Sequence, residues 1–270
     1  MWFRRASSVE PIDWSDLGID YHSHLVPGVD DGAQTLEEAL HMVDGLVAQG
    51  YRGAVTTPHI YPGVYPNSAK GLRQAFAPLH TAVAERHPGF SLSLAAEYQL
   101  DAEFVERVET GGELLEHRGL VLVELSFHAP PPAGMLEEAV FSLQKRNLTP
   151  VLAHVERYPY WHGQHEVIEA LEGRGVLLQV NAGSLAGGYG DPERDAAAHW
   201  LESGLVSLIG SDAHSQRHIE TLASLRNVPS GRAGRVGRIT KDWTARSKQA
   251  ELLSPPAPSA PPSPPADLTI

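Results

Sequence analysis

Cysteine is absent from the 270 residues, which excludes disulfides, thiolate-bound zinc, iron–sulfur clusters and every reaction that runs through a thiolate nucleophile. No apolar run is long enough to span a bilayer, and the two arginines of the N-terminal MWFRRASSVEPIDW are not followed by the apolar stretch of a signal peptide. The expected compartment is therefore the cytoplasm, without membrane insertion. Positive charge is in deficit, with 21 Lys and Arg against 33 Asp and Glu and a formal net charge of -12, so a broad basic face for nucleic acid is not expected. Against these absences stand 14 histidines. A composition of 42% hydrophobic and 20% charged residues suits a folded globular chain with one sizeable core or two small ones.

From Ile19 onward, short runs rich in Val and Leu without polar alternation predict strands buried on both faces, at residues 19–21, 54–57, 92–95, 120–125, 150–153, 176–180 and 206–209. Amphipathic stretches between them predict helices. The clearest covers 36–49, where Leu36, Ala39, Leu40, Val43, Leu46 and Val47 fall at helical spacing, Thr35 and Glu38 form a capping box, and Gly50 stops the run. Others are expected at 69–85, 135–146, 166–174 and 193–203. Strands alternating with helices across short connections predict an α/β fold with a parallel sheet, and seven or eight such units close most economically into a barrel; an open doubly wound sheet is the alternative. The expected organisation is an N-terminal extension at 1–18, a barrel domain at 19–226, and a tail at 227–270 that is first Gly and Arg rich and then Pro and Ser rich, a composition that does not bury a core.

The histidines and carboxylates gather where those strands end. His22 and His24 follow the first, His59 the second and Glu97 the third; Glu124 stands at the end of the fourth, His154 follows the fifth, and Asp212 with His214 the seventh. In a parallel barrel the carboxyl ends converge on one face, where active sites are built. In His22-Ser23-His24 and Asp212-Ala213-His214 the alternation of an extended chain turns both ligand types to one side, and Asp31, in the turn before the first helix, can fold over the same face. Any one of these residues alone reads more readily as a hydrogen-bonded structural group; together, five imidazoles and four carboxylates converging on one face demand cations. Nitrogen and oxygen donors without thiolates suit divalent manganese, iron or zinc, and the nine donors suffice for up to three ions.

Arg157, three residues beyond His154, is placed to reach that face with a guanidinium suited to a tetrahedral oxyanion, although pairing with Glu156 is the competing reading. Tyr61 and Tyr65 either wall an aromatic substrate or pack their Pro-rich loop, and Asp20 either orients a ligand or is a polar residue at a strand start. His128 has no assigned role. His41, His80, His87, His117, His162, His165, His199 and His218 fall on predicted helices or loops and are expected at the solvated surface.

The motifs DYHSHLVPGVDDG at 20–32, TTPH at 56–59, AAEY at 95–98, LVELS at 122–126, LAHVERY at 152–158, QVNAGSL at 179–185 and GSDAH at 210–214 resemble the PHP (polymerase and histidinol phosphatase) superfamily. Within it they resemble the bacterial manganese-dependent protein-tyrosine phosphatases of capsule and exopolysaccharide loci. The resemblance implies a distorted (β/α)7 TIM-like barrel, a trinuclear centre on the nine donors named above with manganese as the first choice, and substrate phosphate bound by Arg157. It also implies a phosphotyrosine-bearing autophosphorylating kinase as substrate. The family's closing segment is not reproduced after Asn227, and Arg217 remains unassigned. The expected reaction is phosphomonoester hydrolysis by a metal-activated hydroxide. Histidinol phosphate or another small phosphomonoester is the alternative substrate, and a metal-binding regulatory module without turnover is the alternative of another class. The oligomeric state is open.

Overall fold

A computed structural model describes residues 17–224. Its first strand, β1 (Ile19–Asp20), pairs in parallel with β2 (Gly53–Thr56), and β2 pairs with β4 (Ser91–Leu94). A second parallel sheet runs in order through β3 (His59–Ile60), β5 (Glu97–Gln99), β6 (Leu120–Glu124), β7 (Thr149–Leu152), β8 (Leu177–Asn181) and β9 (Leu208–Gly210). Because β3 continues β2 and β5 continues β4, the nine strands form seven staves. The circuit closes beyond β1, where Ser23 bridges Ala213 in parallel and the His24 and Asp212 amides donate to Ala213 and His22 carbonyls at 2.9 and 2.7 Å. This is the expected distorted (β/α)7 barrel.

The breaks in the second and third staves have a local cause. Pro58 has no N–H to donate, so the ladder is interrupted there, and its carbonyl instead accepts the Glu97 amide at 3.1 Å. His59 and Glu97 consequently lie on resumed strands rather than after completed ones.

The helices are α1 (Leu36–Ala48), α2 (Ala69–Arg86), α3 (Ala102–Glu109), α4 (Met135–Lys145), α5 (His165–Gly173), α6 (Ala182–Leu185), α7 (Asp191–Glu202) and α8 (Gln216–Ser224). The Thr35–Glu38 capping box is present, and α1 buries Ala39, Met42, Val43 and Leu46. Three helices, α3, α6 and α8, were not expected. In the eight residues of α3 the buried Phe104, Val105 and Val108 do fall at helical spacing, but over barely two turns, and Asp101 caps the helix by accepting the Phe104 amide at 2.8 Å.

Two apolar sets hold the barrel. The lumen is filled by residues of the staves and their immediate extensions, among them Tyr21, Val55, Leu122, Val151 and Leu208, while the outer layer joins strand residues to helix residues such as Leu46, Leu79, Leu143, Ile168 and Trp200. Leu17 is buried in that outer layer. The expected tail, and the extension up to residue 16, lie outside the described residues.

The turn before α1 packs closely on the first stave: a Cβ added at Gly32 would stand 2.2 Å from the His24 carbonyl oxygen and 2.4 Å from its Cβ. Gly32→Ala should therefore lower stability by about 1–3 kcal/mol, as overpacking does, read from the urea midpoint. An unchanged midpoint would contradict this close approach.

Candidate metal centre

The eight residues picked out at strand ends come together on the carboxyl face, and Asp31 of the turn before α1 joins them. His22 Nε2 lies 3.2 Å from His24 Nε2, 3.2 Å from Glu97 Oε2 and 3.3 Å from Asp212 Oδ1. His154 Nε2 lies 3.2 Å from Glu97 Oε1 and 3.3 Å from Glu124 Oε1, and His59 Nδ1 is 3.2 Å from Glu97 Oε2. Asp31, the most exposed of them, places Oδ1 3.6 Å from Nε2 of both His59 and His214. Four groups have donor atoms within 4.8 Å of one another: His24, Asp31, His59 and His214; His22, His24 and Asp212; His22, Glu97 and His154; and His59, Glu97 and Glu124. Donors are thus shared between groups, as in a multinuclear centre.

Hydrogen bonds behind the imidazoles determine which ring nitrogen is bare. The His154 amide, an unambiguous donor, meets Gln179 Oε1 at 2.8 Å, so that atom is the amide oxygen and accepts from His22 Nδ1 at 3.0 Å. His24 Nδ1 likewise donates to Asp30 Oδ2 at 2.9 Å. In the neutral rings both Nε2 atoms are then lone pairs, and they face each other and two carboxylates at full burial. Buried Glu97 Oε1, His59 Nδ1 and His154 Nδ1 have no hydrogen-bond partner. Such a set is repulsive unless positive charge sits among it, and it therefore fits divalent cations.

The titration behaviour expresses the same demand. Burial alone would lower the His154 pKa, yet its contacts with Glu124 and Glu97 push it up to about 10. For Asp212, burial is outweighed by the charges of His22, His214, His154 and His24, which hold the carboxyl well below its ordinary range. His214 is pushed down to about 4 by burial and by neighbouring His24. His154 and Asp212 also adopt left-handed backbone, with φ of +30° and +51°, a conformation costly for such residues and concentrated at functional sites.

Several supporting residues were not singled out from sequence. Asp30 holds His24 and also accepts the amides of His59 and Gly32 at 3.0 Å. Asn181 donates to Asp212 Oδ2 at 2.6 Å. Buried Glu156 does not pair with Arg157; it accepts from Ser184 Oγ at 2.6 Å and the Asn181 amide at 2.9 Å, tying the turn after His154 to the end of β8. The available signal was the parity of Gln179 and Asn181 on β8, the one stave end with no assigned ligand.

Arg157 reaches the same face. Its Nη1 donates to Asp212 Oδ2 at 3.1 Å, and its guanidinium carbon lies over two aromatic rings, 4.5 Å from the Phe127 centroid and 4.4 Å from that of Tyr189. These groups line a cavity of about 360 Å³ with Asp31, Glu124 and His214.

The remaining candidates resolve variously. Asp20 accepts from Ser211 Oγ at 2.6 Å and the Ser211 amide at 2.7 Å, stitching the last stave to the first. Tyr65 stacks on His59 at 5.3 Å, and Tyr61 pairs with Tyr65 through the backbone. His128 is exposed, and Arg217 is exposed beside an adjoining hollow of about 220 Å³. Expected surface histidines need correction. His218 lines the metal cavity and accepts the His214 amide at 3.1 Å. His165 accepts from Trp200 Nε1 at 3.1 Å, His162 donates to the Glu156 carbonyl at 2.7 Å, and His87 bonds to Asp44 at 2.7 Å. Helix-to-helix and turn packing, invisible to a local reading, captures them.

Residues 18–224 match the profile of a family described as "Capsular polysaccharide synthesis, CpsB/CapC". The chain belongs to the CpsB/CapC family. It is 29% identical over 204 residues to the tyrosine-protein phosphatase YwqE of Bacillus subtilis, covering 73% of this chain and 77% of that protein. It is 26% identical over 203 residues to the tyrosine-protein phosphatase CpsB of Streptococcus agalactiae, covering 73% and 83%. Among solved structures, one described as YwqE from B. subtilis and CpsB from Streptococcus pneumoniae, metal-dependent tyrosine phosphatases, superposes with a TM-score of 0.69 at 26% identity, covering 87% of this chain and 93% of that one.

For this CpsB/CapC member, Gln179→Leu should leave His22 Nδ1 and the His154 amide without their acceptor. Manganese affinity should fall about 10–100-fold, the usual cost of losing such a partner, in competition against a chromophoric chelator. Undiminished affinity would show that Gln179 does not orient these rings.

Proposed function

We propose that the chain is a metal-dependent protein-tyrosine phosphatase. The observation that carries this reading is the buried set of bare imidazole nitrogens and carboxylates with a guanidinium held over two aromatic rings at its edge. His22, His24, Asp31, His59, Glu97, Glu124, His154, Asp212 and His214 would hold up to three divalent ions, manganese first. When bound, such ions act as Lewis acids toward phosphoryl oxygens and lower the pKa of a coordinated water toward neutrality.

The protein's own groups account for the rest. Arg157 keeps one Nη on Asp212 and has further N–H donors for the phosphoryl oxygens, while its contacts over the Phe127 and Tyr189 rings hold it in place before substrate arrives. Phe127 and Tyr189 also line the cavity that the phosphotyrosine would enter. The leaving phenolate has a conjugate-acid pKa of about 10, so it departs without a strong proton donor. With no cysteine in the chain, the phosphocysteine route is closed.

The physiological substrate in this reading is a phosphotyrosine-bearing kinase that controls capsule or exopolysaccharide synthesis in the cytoplasm. The relatives' names support a phosphotyrosine protein as substrate, and the family description supports the link to capsule synthesis. In this reading the barrel, with Leu17 packed into its outer layer, is the catalytic unit.

The manganese-loaded protein should hydrolyse a phosphotyrosine peptide, lose that activity to a chelator, and keep it after thiol alkylation. Absence of turnover with metal bound would refute the phosphatase reading. Arg157→Ala should raise KM for the peptide by about tenfold or more, the scale of a lost charge-assisted hydrogen bond. A KM equal to that of the unsubstituted enzyme would remove Arg157 from the phosphate site.

A further inference from the structure

The loop at 125–134 that carries Phe127 into the metal cavity continues as Pro130, Pro131 and Pro132, and these prolines wall a second hollow of about 450 Å³. Its floor is apolar, built from Leu136 on α4, Val167 and Ala170 on α5, and Trp161. Glu137 and Arg174 face each other at 3.6 Å on its rim, and a further apolar hollow runs on to Phe141, which is 68% exposed. The hollow is therefore an open groove between α4 and α5.

The groove and the metal cavity are joined by aromatic rings. Phe127 stacks on Tyr158 at 5.7 Å, and Tyr158 meets Trp161 edge-on at 5.2 Å. Tyr160 packs against both Tyr158 and Trp161 and donates from its hydroxyl to the Ser126 carbonyl at 2.9 Å, pinning the loop that separates the two concavities. Consecutive prolines restrict that loop further. One ring thus separates the wall of the phosphate cavity from the floor of an apolar groove with a fixed edge.

We propose that this groove docks an apolar residue flanking the phosphotyrosine of a protein substrate, so that the enzyme reads the peptide as well as the phosphate. The inference rests on the phosphatase reading above. Continuity identifies the occupant: a chain whose phosphorylated side chain enters the metal cavity passes over Phe127 and Tyr160 before it reaches Trp161. At ~3.3 Å of advance per extended residue, the two ring-to-ring steps of 5.7 and 5.2 Å from Phe127 through Tyr158 to Trp161 span at most about three residues beyond Phe127, so the docked side chain lies about three or four positions from the phosphotyrosine. The apolar floor favours Leu or Phe there over Ala, since each added methylene buried is worth a measurable factor in binding.

The test compares p-nitrophenyl phosphate with phosphotyrosine peptides of equal charge that carry Leu, Phe or Ala about three or four positions from the phosphotyrosine on either side. The manganese-loaded full chain is used, together with Ala170→Glu and Val167→Ser. On one side of the phosphotyrosine, Leu or Phe should raise kcat/KM about tenfold over Ala, mainly through KM. Both variants should erase that preference while hydrolysing p-nitrophenyl phosphate at the unsubstituted rate. Equal kcat/KM for all peptides on the unsubstituted chain, with p-nitrophenyl phosphate still turned over, would overturn the docking proposal and leave the phosphatase reading standing. No turnover of any of these phosphates would overturn the phosphatase reading and the docking subsite with it. A dimer that dissociates in Ala170→Glu, with peptide preference flat, would assign the groove to self-association and overturn the proposal.

Discussion

Everything on the carboxyl face of this barrel is arranged around lone pairs that point at one another. Gln179 and Asp30 occupy the Nδ1 sides of His22 and His24 and so turn the bare Nε2 atoms inward, where Glu97 and Asp212 add negative charge. In water such groups would be solvated; at full burial they are not. Either protons or cations must fill the centre, and shared donors spaced in four overlapping groups match cations better than protons.

The barrel supplies what this repulsive cluster cannot supply for itself. Its lumen of Tyr21, Leu122, Val151 and other residues of the staves is a separate apolar cluster, so the cost of gathering like charges is met by packing below them. Asp20 and Ser211 close the last stave on the first directly beneath His22 and Asp212. The left-handed residues His154 and Asp212 turn the chain at the rim and bring Arg157 and His214 back over the centre. Position of the guanidinium follows from three sources: Asp212 at its edge and the rings of Phe127 and Tyr189 over which it lies.

Much of this was legible in the residue order. Strand alternation put His22 beside His24, and the uniform apolar strands announced a parallel barrel whose carboxyl ends would converge. What stayed hidden has physical reasons. Pro58 splits a stave without changing its hydrophobic pattern, and the helical spacing of Phe104, Val105 and Val108 in α3 extends over barely two turns. Gln179 and Asn181 are neutral amides, with no charge pattern to mark them until their partners are known. His165 and His218 read as surface because what captures them, Trp200 and the His214 amide, lies across a helix contact or on the rim of the site.

The claim that the centre is built for cations is tested most directly by anomalous scattering from crystals grown with manganese. The account predicts anomalous peaks at coordination distance from the nine imidazole and carboxylate side chains, shared in the overlapping groups described above, with Arg157 outside the coordination sphere. A well-ordered cluster with no peak among those donors, its imidazoles hydrogen-bonded to the carboxylates as protonated rings, would contradict it.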